Sequence, residues 1–93
     1  MYHKFLQIAP TDNVLVALQD LRQGEIIEFS GKQIVLQENI GAKHKFAMQP
    51  LNTGDPVFMY GVLVGKAVKP IAAGAMISTD NLKHAAEPYG ARQ

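Results

Sequence analysis

Leu51-Asn52-Thr53-Gly54-Asp55-Pro56-Val57 decides how this chain folds, because the same module occurs twice more, as Leu21-x-x-Gly24-x-x-Ile27 and Ile71-x-x-Gly74-x-x-Ile77. Each copy is an apolar residue, a turn whose glycine can take positive φ, and an apolar residue entering the next extended run. Pro50 and Pro70 precede the last two copies and fix the approach to the turn. The runs between these turns are about five residues long, the usual length of a strand. Three such turns in 93 residues argue against flat meandering sheets. They predict a compact all-β structure in which long bent hairpins double back on themselves.

Working outward, Lys4 to Ile8 reads as a first strand closed by Ala9-Pro10, and Thr11-Asp12-Asn13 is turn chemistry, since these side chains bond nearby backbone groups. Val14 to Gln19 is led by β-branched residues and reads as a strand. Glu25 to Phe29 and Lys32 to Leu36, separated by Ser30-Gly31, carry the signal of a two-residue hairpin. Val57 to Tyr60, Val62 to Val64 and Lys66 to Val68 are three short extended pieces punctuated by Gly61 and Gly65. Ser78-Thr79-Asp80-Asn81 can cap one or two helical turns over Leu82 to Ala86, which Pro88 stops, and residues 90–93 read as a frayed end of a single domain spanning 1–93. Met48, Met59 and Met76 are expected to fill gaps in the core.

Composition narrows the function. Hydrophobic residues make up 47% of the chain and charged residues 18%, which is ordinary for a folded domain. Nine basic residues face eight acidic ones and are scattered except for Lys43 and Lys45, so no footprint for nucleic acid is present. The absence of cysteine excludes a disulfide framework, a thiolate nucleophile and a cysteine metal site. No apolar run approaches the ~20 residues of a membrane span and the amino terminus has no signal-type pattern, which together predict a cytoplasmic location without membrane contact.

His44 is the histidine to which the sequence gives a candidate role. With residues 43–48 read as a strand, the period of two puts Lys43, Lys45 and Ala47 on one face and His44, Phe46 and Met48 on the other. An imidazole held against an apolar wall and flanked by two ammonium groups is expected to favour its neutral form, the form that accepts a proton or binds a metal. The plain alternative is a sheet-edge histidine bonded to a backbone carbonyl. Tyr60, ahead of Gly61, could face a ligand or simply pack its ring in a strand.

The runs Thr11-Asp12-Asn13-Val14-Leu15-Val16-Ala17-Leu18, His44-Lys45-Phe46-Ala47 and Tyr60-Gly61-x-x-x-Gly65-x-Ala67, followed by Ile71-x-x-Gly74, resemble the amino-terminal SAF domain of altronate dehydratases and the related galactarate dehydratases. The resemblance covers nearly the whole chain. Members of that family often have glycine immediately before the His-Lys pair, where this chain has Lys43. The resemblance implies a β-clip fold, the folded-over hairpin arrangement that the turn repeat also suggests. It implies a part in sugar-acid breakdown, in which a D-altronate-like aldonate loses water to give a 2-keto-3-deoxy acid. A divalent metal, iron by family expectation, would act there as the Lewis acid, with a base and an acid completing the step.

The chain has no His-x-x-x-His pair and no carboxylate cluster, and His3 and His84 lie near its two ends. The resemblance therefore implies a small subunit or amino-terminal domain whose partner is a larger catalytic portion, which would hold the metal; self-association stays open. Within it, Lys43, Lys45 and Tyr60 are candidates for gripping the sugar acid, and His44 for shuttling a proton or adding a metal ligand. The alternative is a non-enzymatic SAF module that binds carbohydrate or serves assembly.

Overall fold

The computed structural model describes residues 4–84, and every regular element in that span is a strand. In chain order these are β1 (Phe5–Leu6), β2 (Val14–Ala17), β3 (Ile26–Phe29), β4 (Lys32–Val35), β5 (Lys45–Ala47), β6 (Pro56–Met59), β7 (Val62–Ala67) and β8 (Leu82–His84). They form three small antiparallel sheets, ordered β1-β2-β5, β3-β4 and β6-β7-β8. The all-β fold of short bent hairpins expected from the turn repeat is the fold observed.

The three copies of the module share one hydrogen-bonding scheme. The amides of Gly24, Gly54 and Gly74 donate to the carbonyls of Leu36, Ala67 and Ala47 at 2.8, 2.7 and 2.8 Å. In return the amides of Leu36, Ala67 and Ala47 donate to the carbonyls of Glu25, Asp55 and Ala75, each at 2.9 Å. Each turn is thus welded to the end of a strand distant in sequence, with its glycine at φ 87, 92 and 89. In the first two copies a carboxylate tightens the turn: Glu25 accepts the Arg22 amide at 3.3 Å and Asp55 accepts the Asn52 amide at 2.7 Å. The third copy has Ala75 at that position and no such brace.

The first two copies each launch a hairpin, β3-β4 and β6-β7, whose tips are Ser30-Gly31 and Tyr60-Gly61. All four tip residues have positive φ, at 54, 78, 57 and 78, the signature of the two-residue turn whose twist matches that of the flanking strands. The second and third copies then pair with each other through the bridge Leu51↔Ile71, while Leu21 bridges Ile40.

Two hydrophobic clusters result. One gathers Val14, Ala47, Leu51, Val57, Ala67, Ile71, Ile77 and Leu82; the other gathers Leu15, Ala17, Leu21, Ile27, Ile34, Leu36, Ile40 and Phe46. Both apolar ends of every module copy lie in these clusters, and each fully buried Leu, Ile or Phe side chain contributes about 1.5–3 kcal/mol. Neighbouring residues of β2 enter different clusters, so that strand is buried on both faces. Met59 packs on the first cluster and Met48 and Met76 on the second, as expected of gap-filling methionines. Phe5 meets Phe29 and Phe46 edge-on, at 6.1 and 6.5 Å between ring centroids.

Two local expectations are corrected. Val62 to Ala67 is one continuous strand, with a bulge where the pairing steps from Val57↔Gly65 to Phe58↔Leu63. Gly65 is needed there for a different reason than a turn: a Cβ on it would run into the Lys83 carbonyl, 2.9 Å from its carbon. Leu82 to His84, expected to begin a helical turn, is instead the strand that makes this approach. Asn81 accepts the Ser78 amide at 2.9 Å, a local bond that closes a turn before β8 rather than capping a helix. The rest of that expected turn, and residues 90–93 with their expected fraying, lie outside the described residues.

Candidate functional site

The loop from Gly41 to His44 is held to β2 at its far end: the Lys43 amide donates to the Ala17 carbonyl at 2.7 Å and the Ala17 amide to the His44 carbonyl at 2.9 Å. Within it the His44 amide closes back on the Gly41 carbonyl at 3.0 Å, and the Asp20 carboxylate accepts the Ala42 amide at 2.9 Å. To fit this tight loop Lys43 takes φ 75, a conformation that costs a residue with a side chain of order 1–3 kcal/mol.

That backbone reversal overturns the expected placement of His44. The extended run starts at Lys45 rather than Lys43, so the alternation holds for Phe46, which is fully buried, but not for His44, which is exposed. The imidazole is not held against an apolar wall. Its ring lies over Gly41 instead, with Cδ2 3.2 Å and Nε2 3.8 Å from the point where a Cβ on Gly41 would sit, and an Asp20 carboxylate oxygen lies 4.0 Å from the same point. A concavity of about 500 Å3 lined by Asp20, Leu21, Arg22, Asn39, Ile40 and Gly41 adjoins this loop.

Lys45 opens β5 opposite Val16 and is half-buried. Its ammonium stands 5.7 Å from the centroid of the Tyr60 ring, within reach of the electron-rich face. Tyr60 is not a strand residue but the first residue of the β6-β7 tip, and its side chain is half exposed. The structure therefore brings Lys45 and Tyr60 together and sets His44 and Lys43 beside Lys45 on the exposed loop. Such a rim offers ammonium groups to a carboxylate, and imidazole and phenol groups to hydroxyls.

What fixes the rim is a pair of residues read from the sequence only as turn formers. Asp12, a buried charged residue, accepts the amides of Tyr60 at 2.9 Å, Gly61 at 2.8 Å and Ala9 at 3.1 Å. Asn13 does the same for β6, accepting the Phe58 amide at 2.9 Å and donating to the Pro56 carbonyl at 2.8 Å, so that its amide group imitates a strand partner. The sequence signal for this role was the adjacency of Asp12 and Asn13 within one of the quoted motifs; the contact itself spans 48 residues and has no local signature.

The two described histidines are not part of a metal centre formed by described residues. His44 lies in the loop, His84 lies on β8 opposite Gly65, and His3 is outside the described residues. Among the described residues no group of three or more His, Cys, Asp or Glu side chains is arranged to hold a metal ion. No helix among them is long and apolar enough to cross a membrane.

Residues 3–85 match the family described as the altronate/galactarate dehydratase SAF domain. The altronate dehydratase of Bacillus subtilis (strain 168) is 35% identical over 79 residues, which cover 85% of this chain and 16% of that protein. The altronate dehydratase of Escherichia coli (strain K12) is 32% identical over 80 residues, 86% of this chain and again 16% of the relative. The chain thus corresponds to a small part of the length of the curated relatives it matches.

Proposed function

The chain belongs to the altronate/galactarate dehydratase SAF domain family, and from that premise we propose that it is the small subunit or amino-terminal domain of an altronate-type sugar-acid dehydratase. Supporting this is the match over most of the chain to relatives of which it makes up 16%, which leaves a much larger portion to carry the chemistry. In the proposed reaction an aldonate gives up the proton α to its carboxylate and the hydroxyl on the next carbon. Water leaves, and the resulting enol tautomerises to the 2-keto-3-deoxy acid.

The observation that supports the site reading is the approach of the half-buried Lys45 ammonium to the Tyr60 ring, on a tip pinned by Asp12, with exposed His44 adjacent to Lys45 in the chain. Ammonium groups of Lys45 and Lys43 would hold the carboxylate of the sugar acid as point charges. The Tyr60 hydroxyl would meet a substrate hydroxyl, and His44 would pass a proton at the mouth of the larger portion's site. The described residues do not by themselves fit a metal centre. A divalent metal, iron by family expectation, belongs in this reading to the larger portion, with His44 adding at most one ligand.

The test is reconstitution. The purified chain, the larger portion of a matching dehydratase, and the two together are each incubated with D-altronate, and 2-keto-3-deoxy-D-gluconate is measured. Product is expected when the larger portion is present, with the rate or the KM changed by this chain. Product formed by the chain alone, or no effect of adding it, overturns the proposal.

A further inference from the structure

The β7-β8 ladder sets Lys66 directly opposite Lys83. Directly opposed residues of an antiparallel pair share one face with Cβ atoms about 5 Å apart, and like charges in that position weaken the pairing. The approach is enforced by the backbone at the neighbouring pair, where Gly65 meets β8 more closely than any side chain would allow. Lys66, Lys83 and His84 line a concavity of about 450 Å3 that also includes Pro56 and Leu63, and among the described residues no carboxylate lines it. That volume falls within the range of small-ligand sites. The ion pairs formed among the described residues engage Lys4 and Lys69, not these two lysines.

We propose that this cleft is an anion-binding site, separate from the His44 rim, that takes a small multivalent anion bearing carboxylate or phosphate groups between Lys66 and Lys83. An anion seated there turns the repulsion between two ammonium groups into a pair of charge-assisted hydrogen bonds. His84 adds a further donor, and Leu63 with Pro56 gives an apolar wall for a carbon skeleton. The cleft sits at the base of the β6-β7 hairpin whose far tip carries Tyr60. At the rise of a strand, Pro56, which pairs with Lys66, and Tyr60 are about 13 Å apart, so a small anion held between Lys66 and Lys83 does not reach Tyr60, although the Leu63 wall of the cleft comes nearer the tip.

The experiment is a titration of the full chain, followed by the backbone amide signals in nuclear magnetic resonance, with inorganic phosphate, with citrate and with neutral sorbitol. Saturable shifts centred on Lys66, Lys83 and His84 are expected for phosphate or citrate but not for sorbitol, and the stronger of the two anions tells phosphate from carboxylate preference. The double variant Lys66→Ala/Lys83→Ala should bind roughly tenfold or more weakly, the loss expected for charge-assisted contacts. Lys83→Glu should abolish anion binding and raise the melting temperature in anion-free buffer, because it places opposite charges across the ladder. Unsaturable shifts, shifts spread evenly over all lysines, or undiminished binding by the double variant overturn the proposal.

Discussion

The Asp12 carboxylate accepts the backbone amide of Tyr60 at 2.9 Å from 48 positions earlier in the chain. Together with its bonds to Gly61 and Ala9, this makes one buried side chain the acceptor for three backbone donors. Asp12→Ala removes the acceptor of all three and should destabilise the domain by about 1–3 kcal/mol, since part-buried amides lose charge-assisted bonds. Asp12→Asn keeps one acceptor oxygen and should fall between. Urea denaturation checks both; parental stability for Asp12→Ala would show that the clamp is not needed.

His44 is exposed and its side chain packs into neither cluster, so its removal should leave the fold almost unchanged. His44→Ala is expected to melt within about 0.5 kcal/mol of the parent, as most surface substitutions do. In the assembled dehydratase the same variant should lower kcat by ~10²-fold or more, the size usual for one acid-base group. Full activity there would remove His44 from the proposed site.

Lys45 touches both the Tyr60 ring and, in the proposed reading, the substrate carboxylate. Lys45→Ala should therefore raise KM more than it lowers kcat, the pattern of lost ground-state binding. Assays of the assembled enzyme across altronate concentrations separate the two effects. An unchanged KM would leave the lysine as a packing partner of Tyr60 alone.

The repeated turn glycines should not be equivalent. Gly54, at φ 92 with open space around it, should lose about 1–2 kcal/mol on substitution by alanine, the backbone cost alone. Gly74, at φ 89, adds a collision, because a Cβ there would fall on the Val35 carbonyl, 2.9 Å from its carbon. Gly74→Ala should cost more than ~3 kcal/mol, since rigid backbone must separate. Equal losses in thermal melts would contradict this ranking.

Glu25 is held below its ordinary carboxyl range, first by the hydrogen bond from Lys4 and then by the Arg22 amide. A lowered pKa in the folded state means that the carboxylate stabilises the domain above the ordinary value near 4.5 and that this contribution is lost as pH falls through the lower, folded value. Lys4→Met should thus be slightly less stable than the parent at pH 7, with the difference shrinking as pH drops below 4.5 and also as salt is added. A gap that widened on acidification would show that the pair is not its source.

What could be read in the sequence was what is local. The module glycines and the Ser30-Gly31 hairpin are specified within a few residues by turn chemistry, and all of them have the positive φ that the pattern requires. The placement of Gly65 could not be read, because the demand for glycine comes from β8, a later segment that lies against it. Alternation carried through Lys43 turns His44 the wrong way, because the left-handed backbone of Lys43 is set by the loop bonds to Ala17 and not by its own preference. The glycine that family members often carry at that position was the available clue. Turn chemistry predicts local partners for Asp12 and Asn13, and Asp12 has one in Ala9, but their other partners are the tip and edge of a hairpin that begins more than forty residues later.

Because Val14 belongs to one hydrophobic cluster and Leu15 to the other, the two halves of this domain have a strand in common and no boundary between them. Opening either half exposes one face of β2 and strips support from the other, so local unfolding of one half is coupled to loss of the second. The amide protons of β2 should then exchange with solvent only in the rare events that melt the whole domain. The three copies of the turn module, for all their internal resemblance, are thus expected to melt as one unit with β2 as its shared support.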